Sequence, residues 1–156
     1  MEYLLNADTY QEAMRSYLRR GSDEMRTLDD AYLWDTDHGF SKEWALVSYP
    51  RPEISDTILP ADAYLEGVRD NLDVICAWAR EHPDVQFSIW FPPYSMLYWD
   101  KVTREGSRDA ILTAIEYAAG QLLEYDNISV YSFLYSRAVS DLNNYADHIH
   151  CSGAVT

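Results

Sequence analysis

Apolar residues recur along this chain at two different periods. From Asp8 to Arg20, the residues Tyr10, Met14, Tyr17 and Leu18 fall on one stripe. Asp8 or Thr9 can cap the start and Gly21 can end the run, which predicts a first helix. From Ser22 to Pro60 no period holds, and Tyr49-Pro50-Arg51-Pro52 forbids helix at that point. A stretch this long is either a functional excursion or a run of elements too short to show a period. Regularity returns with Ala61 to His82, where Tyr64, Leu65, Val68, Leu72, Ile75, Cys76 and Ala79 repeat at helical spacing. His82-Pro83-Asp84 stops that helix, and His82 is a favourable cation at its C-terminal end. Val85 to Phe91 is dense in β-branched and aromatic residues and predicts a strand, which Pro92-Pro93 ends. Ser107 to Tyr125 carries Ala110, Ile111, Ala114, Ile115, Ala118 and Leu122 on one face and predicts another helix. Ile128 to Phe133 predicts a second short strand, and the rest of the chain reads mostly as loop.

Helix, strand, helix, strand in that order reads as a βαβ unit, with parallel strands joined by a right-handed crossover. Two parallel strands need cover on both faces and neighbours on both edges, so the pattern is part of a larger α/β sheet. Cys76, Trp78, Phe87, Trp90 and Phe91 sit on helix and strand periods and are expected in the core.

Composition narrows the function. The chain of 156 residues is 47% hydrophobic and 14% aromatic, too apolar for a disordered segment and long enough for a core. Its formal charge of −14 disfavours the basic face that phosphate contacts need, so nucleic acid and anionic membrane surfaces are not expected partners. Cys76 and Cys151 cannot make a disulfide framework or a four-thiolate zinc site. No apolar run reaches the roughly 18 residues of a membrane span. Met1-Glu2-Tyr3-Leu4-Leu5 lacks the basic and apolar regions of a signal peptide.

In open α/β sheets, functional groups gather at the carboxyl ends of the strands. Two segments qualify here: Phe91-Pro92-Pro93-Tyr94-Ser95 after the first strand, and Asp141 to His150, the richest polar cluster, after the second. Asp147 and His150 stand three apart, so the carboxylate can accept from Nδ1 of the imidazole and leave Nε2 to act as a general base. That is the base-and-orienter half of a hydrolytic triad. The spacing alone fits an ordinary solvated acidic turn as well. A metal reading competes: Asp147, His148 and His150 are possible ligands, and Asp35, Asp37 and His38 could add more. His148 and His150 are two apart, which suits a loop or strand and not a helix. Tyr98 and Trp99 follow the Pro-Pro loop and can line a pocket, and Ser95 is expected to cap the segment after it.

Phe91-Pro92-Pro93-Tyr94-Ser95-Met96-Leu97-Tyr98-Trp99, followed by Asp141-Leu142-Asn143-Asn144-Tyr145-Ala146-Asp147-His148-Ile149-His150, resembles the C-terminal half of an SGNH-type (GDSL-like) hydrolase-like protein. The branch it is similar to is the bacterial cell-envelope one, related to the enzyme that D-alanylates teichoic acids. The likeness covers Pro60 to Cys151 best. It extends loosely to Met1–Arg20, and Asp29–Pro50 resembles the family's variable insertion. It implies a three-layer, flavodoxin-like parallel sheet with flanking helices, present here in part. It also implies an esterase or acyltransferase acting on O-acyl groups of an envelope polymer or exopolysaccharide. His150 is then the base, Asp147 its orienter, and Pro93, Tyr94 and Trp99 candidates for substrate contact. No cofactor or metal is implied, and full-length relatives are membrane-anchored and extracytoplasmic.

The chain departs from the family pattern in three ways. It has no Gly-x-Ser or Gly-Asp-Ser, and Gly21-Ser22-Asp23 follows a helix instead of a strand. Cys151 stands where members have Tyr or a similar residue after the histidine. The chain stops six residues past His150, without the family's final helix. On this reading residues 1–156 are a single α/β domain lacking the part that bears the nucleophile. An unpaired strand edge in such a fragment favours self-association. Two other classes remain open: a non-catalytic polysaccharide-assembly protein on the same scaffold, and a metal-binding domain using His148 and His150.

Overall fold

The computed structural model describes residues 39–153 and residue 155. The helix expected from Asp8 to Arg20 lies outside them, as do Gly21-Ser22-Asp23, Asp35, Asp37 and His38. The described residues form a mixed α/β structure. In chain order its elements are α1 (Lys42–Val47), α2 (Leu65–Glu81), β1 (Phe87–Phe91), α3 (Met96–Arg104), α4 (Arg108–Leu122) and β2 (Ile128–Ser132). Two 3₁₀ turns follow, Arg137–Ser140 and Leu142–Asn144.

β1 and β2 pair in parallel, in register from Phe87 with Ile128 to Phe91 with Ser132. Among the described residues the sheet has these two strands. Leu72, Cys76 and Ala79 of α2 meet Ala118 and Leu122 of α4 over Ile128 of β2, with Phe87, Ile89, Phe91 and Val130 packed against them. Both helices therefore cover the same sheet face. Asn127 closes the unit: its side-chain amide reaches the carbonyls of Ala79, His82 and Val85 at 3.0–3.1 Å, pinning the end of α2 to the start of β2.

Strand period and helix phase explain two corrections. Trp90 is half exposed, because alternation puts Ser88 and Trp90 on the sheet face opposite the helices. Trp78 is also half exposed, since two residues beyond Cys76 is about 200° round a helix and off its buried stripe. Cys76 is buried as expected.

The stretch from Ser22 to Pro60, unreadable by period, contains α1. Ser41 caps it, its side chain accepting from the Trp44 N–H, and Ala45 is its buried residue. The segment after the Pro-Pro loop is also helical, as α3. Ser95 caps it as expected, accepting from the N–H groups of Leu97 and Tyr98 at 3.2 and 3.4 Å. Leu97 and Val102 are the buried residues of α3. Gly106 ends it with a φ of +74°, and a Cβ there would meet the Thr57 carbonyl oxygen at 2.2 Å. Only glycine suits both the backbone angle and that close approach. No helix among the described residues is long and apolar enough to cross a membrane.

Candidate functional site

A second, smaller core positions the polar cluster. Ala45 of α1, Leu97 of α3, Leu142 and Tyr145 form it, with Tyr49 and Cys151 packed alongside. Tyr145 is fully buried, and its hydroxyl donates to the carbonyl of Pro93. Ser95, also fully buried, donates its hydroxyl to the carbonyl of His148 at 2.8 Å. Those two bonds tie the Asp141–His150 segment to the loop leaving β1, at the carboxyl end of the sheet. The segment closes on itself as well: Ala146 N–H donates to the His150 carbonyl at 3.0 Å, and Ser152 N–H to that of Asn144 at 2.8 Å.

Asp147 organises the turn that follows. Its Oδ1 accepts from the backbone N–H groups of Ile149 and His150, each at 2.7 Å. Its Oδ2 lies 2.6 Å from His150 Nδ1. Burial by itself raises the Asp147 pKa, but the His150 backbone and imidazole and the Ile149 N–H outweigh it and hold the carboxyl below its ordinary value. An ionised carboxylate only accepts, so the proton of this short contact belongs to His150 Nδ1. The His150 side chain is 52% exposed and that of Asp147 29%, so the pair is supported from inside and open outward.

An aromatic row runs from the loop leaving β1 into α3. Tyr94 and Tyr98 stack with centroids 4.3 Å apart, and Tyr98 meets Trp99 edge-on at 5.3 Å. All three are partly exposed. Pro93 differs from the expectation. Its side chain is fully buried and its carbonyl is taken by Tyr145, so it supports the loop and is not a substrate-facing residue.

Asp100 anchors α3 to the chain before it. Arg51 clamps it in bidentate fashion at 2.8 and 2.9 Å, and the Tyr49 hydroxyl donates to it at 2.9 Å. The Arg51 guanidinium holds the Asp100 carboxyl well below the usual carboxylate range, while burial and Asp100 push the Tyr49 hydroxyl up to about 12. Sequence reasoning missed these three residues and Tyr145. The one signal was Asp100 and Arg104 at i, i+4.

Among the described residues no group of three or more His, Cys, Asp or Glu side chains stands close enough to hold a metal ion. A cavity of about 160 Å³ lies between α2 and α4, lined in part by Arg69, Asp73, Cys76, Arg80 and Tyr125, and it shares no lining residue with the Asp147–His150 turn. In comparison with known proteins, the chain matches no family model, no curated protein and no solved structure.

Proposed function

We propose that this chain carries the base-and-orienter half of an SGNH-type esterase or acyltransferase on a flavodoxin-like sheet. Its substrate is the O-acyl group of an envelope polymer or exopolysaccharide, outside the cytoplasm. The observation that carries this reading is the Asp147–His150 contact at the carboxyl end of two parallel strands. In the reaction, His150 Nε2 takes the proton of a serine hydroxyl as that oxygen attacks the acyl carbon. Asp147 steadies the imidazolium, which then gives the proton to the departing sugar oxygen. Water or a second hydroxyl later releases the acyl group by the same base. On this reading the attacking serine is not one of this chain's residues; Ser95 is buried with its hydroxyl committed to the His148 carbonyl. Tyr94 and Trp99 offer partly exposed faces on which a sugar ring can stack.

A titration with a short O-acetylated oligosaccharide, followed by amide and aromatic NMR signals, tests this reading. The expected shifts centre on Tyr94, Trp99 and His150. Shifts confined to the cavity between α2 and α4, or none at millimolar sugar, contradict it.

A further inference from the structure

The other histidine of the turn is held quite differently from His150. Both ring nitrogens of His148 are closed off from solvent and meet no hydrogen-bond partner among the described residues. Its ring leans on Tyr49, centroids 5.9 Å apart at 40°. Its backbone carbonyl accepts the Ser95 hydroxyl, so the ring is fixed beneath the turn at the point where the turn meets α3. The titratable groups facing it are Tyr49 before it in the chain, Lys101 of α3, Glu105 just past the end of α3, and Asp147 and His150 of its own turn. A neutral imidazole in such a place forfeits hydrogen bonds to water; a cation forfeits much more.

We propose that His148 is an acid-sensitive strut: neutral, it fills the space between the 147–150 turn and Tyr49, and once protonated it leaves that space and frees the turn that carries Asp147 and His150. Burial first, and Lys101 next, push the His148 pKa below its ordinary value, with His150 adding to the effect; Asp147 and Glu105 pull the other way without reversing it. The folded chain therefore binds this proton less tightly than the unfolded chain, whose histidines titrate at about 6.5. The strut's contribution to stability is complete above that value. It is lost as pH falls through the unfolded value and on toward the folded one, by up to about tenfold in the folded-to-unfolded ratio per pH unit.

Urea unfolding of the whole chain from about pH 8 to about pH 5, for the wild type and for His148→Phe, tests the proposal. The carboxylates and the other histidines titrate in both proteins, so the difference between the two profiles isolates His148. The expected profiles run parallel above about pH 7 and diverge below it, the wild type losing up to about tenfold more per pH unit. Profiles that stay parallel throughout overturn the proposal. Should His148→Phe fail to fold, NMR of the wild type decides. The His148 ring should titrate below the ordinary value of about 6.5, and the Ile149 amide signal should move with the same midpoint. A ring midpoint at or above that value, or an Ile149 amide that ignores it, overturns the strut.

Discussion

The two cores of this protein are built in opposite ways. Between the helices and the sheet, Leu72, Cys76, Ala79, Ala118, Leu122 and Ile128 meet as apolar side chains on two regular helices and a strand. Around Tyr145, short segments at α1, α3 and the 142–151 stretch each lend one or two buried residues, and polar bonds do the joining: Tyr145 to Pro93, Ser95 to His148, and Ser41 N–H to the Tyr145 carbonyl at 3.2 Å. The first core is a packing solution, made of apolar side chains. The second buries the hydroxyls of Tyr145 and Ser95, each committed to a carbonyl, so breaking either pair leaves its partner buried and unpaired. Candidate chemistry sits on the second, which holds Asp147 and His150 in place without covering them.

The largest expected effect breaks the packing side. Leu122 is 2% exposed in the helix–sheet core, so Leu122→Ala should lower unfolding stability by about 2–5 kcal/mol. In the fraction that remains folded, the NMR signals of Asp147 and His150 should stay where they are. A shift at the turn as large as that around α4 would show that the two cores are one cooperative site.

Tyr145→Phe breaks the polar side and should cost less, about 1–3 kcal/mol, by leaving the buried Pro93 carbonyl without its donor. Its signature is local. The signals of Pro93, Ser95 and the 147–150 turn should move while those of α2 and α4 hold. A loss below about 0.5 kcal/mol, measured by urea unfolding, would mean that the carbonyl finds another donor and that the second core is apolar in its energetics too.

What could be read from the sequence follows the same division. Val68, Leu72, Ile75, Cys76 and Ala79 announce α2, and the alanine-rich face of 110–122 announces α4, because each repeats for several turns. The strands were legible from their β-branched and aromatic runs between turn residues. α1 has six residues and one buried side chain, too few for a period to register. α3 buries only Leu97 and Val102 of its nine residues, so its capping serine was visible and its stripe was not. The Asp147–His150 pair was legible because a turn makes an i, i+3 contact local. Its supports were not, since Tyr145 to Pro93 spans 52 residues and Ser95 to His148 spans 53. Pro93 was misplaced for that reason: its sequence neighbours suggest an open loop, and only the distant tyrosine shows that it is enclosed.

The smallest effect sharpens the contrast from outside both cores. Trp90 is 50% exposed on the sheet face away from the helices. Trp90→Ser should change stability by no more than about 0.5 kcal/mol, by urea unfolding at micromolar protein. A loss above about 2 kcal/mol would mean that this tryptophan is covered and that a third packed surface exists.

The claim that Asp147 orients His150 for base chemistry has one direct measurement, the proton position on the His150 ring read from nitrogen-15 NMR of the neutral side chain. Asp147 is ionised and accepts at 2.6 Å from Nδ1, so the account predicts the tautomer with the proton on Nδ1 and none on Nε2. Asp147→Asn should lose that preference. Neutral His150 carrying its proton on Nε2 in the wild type, or a tautomer unchanged in Asp147→Asn, would contradict the account.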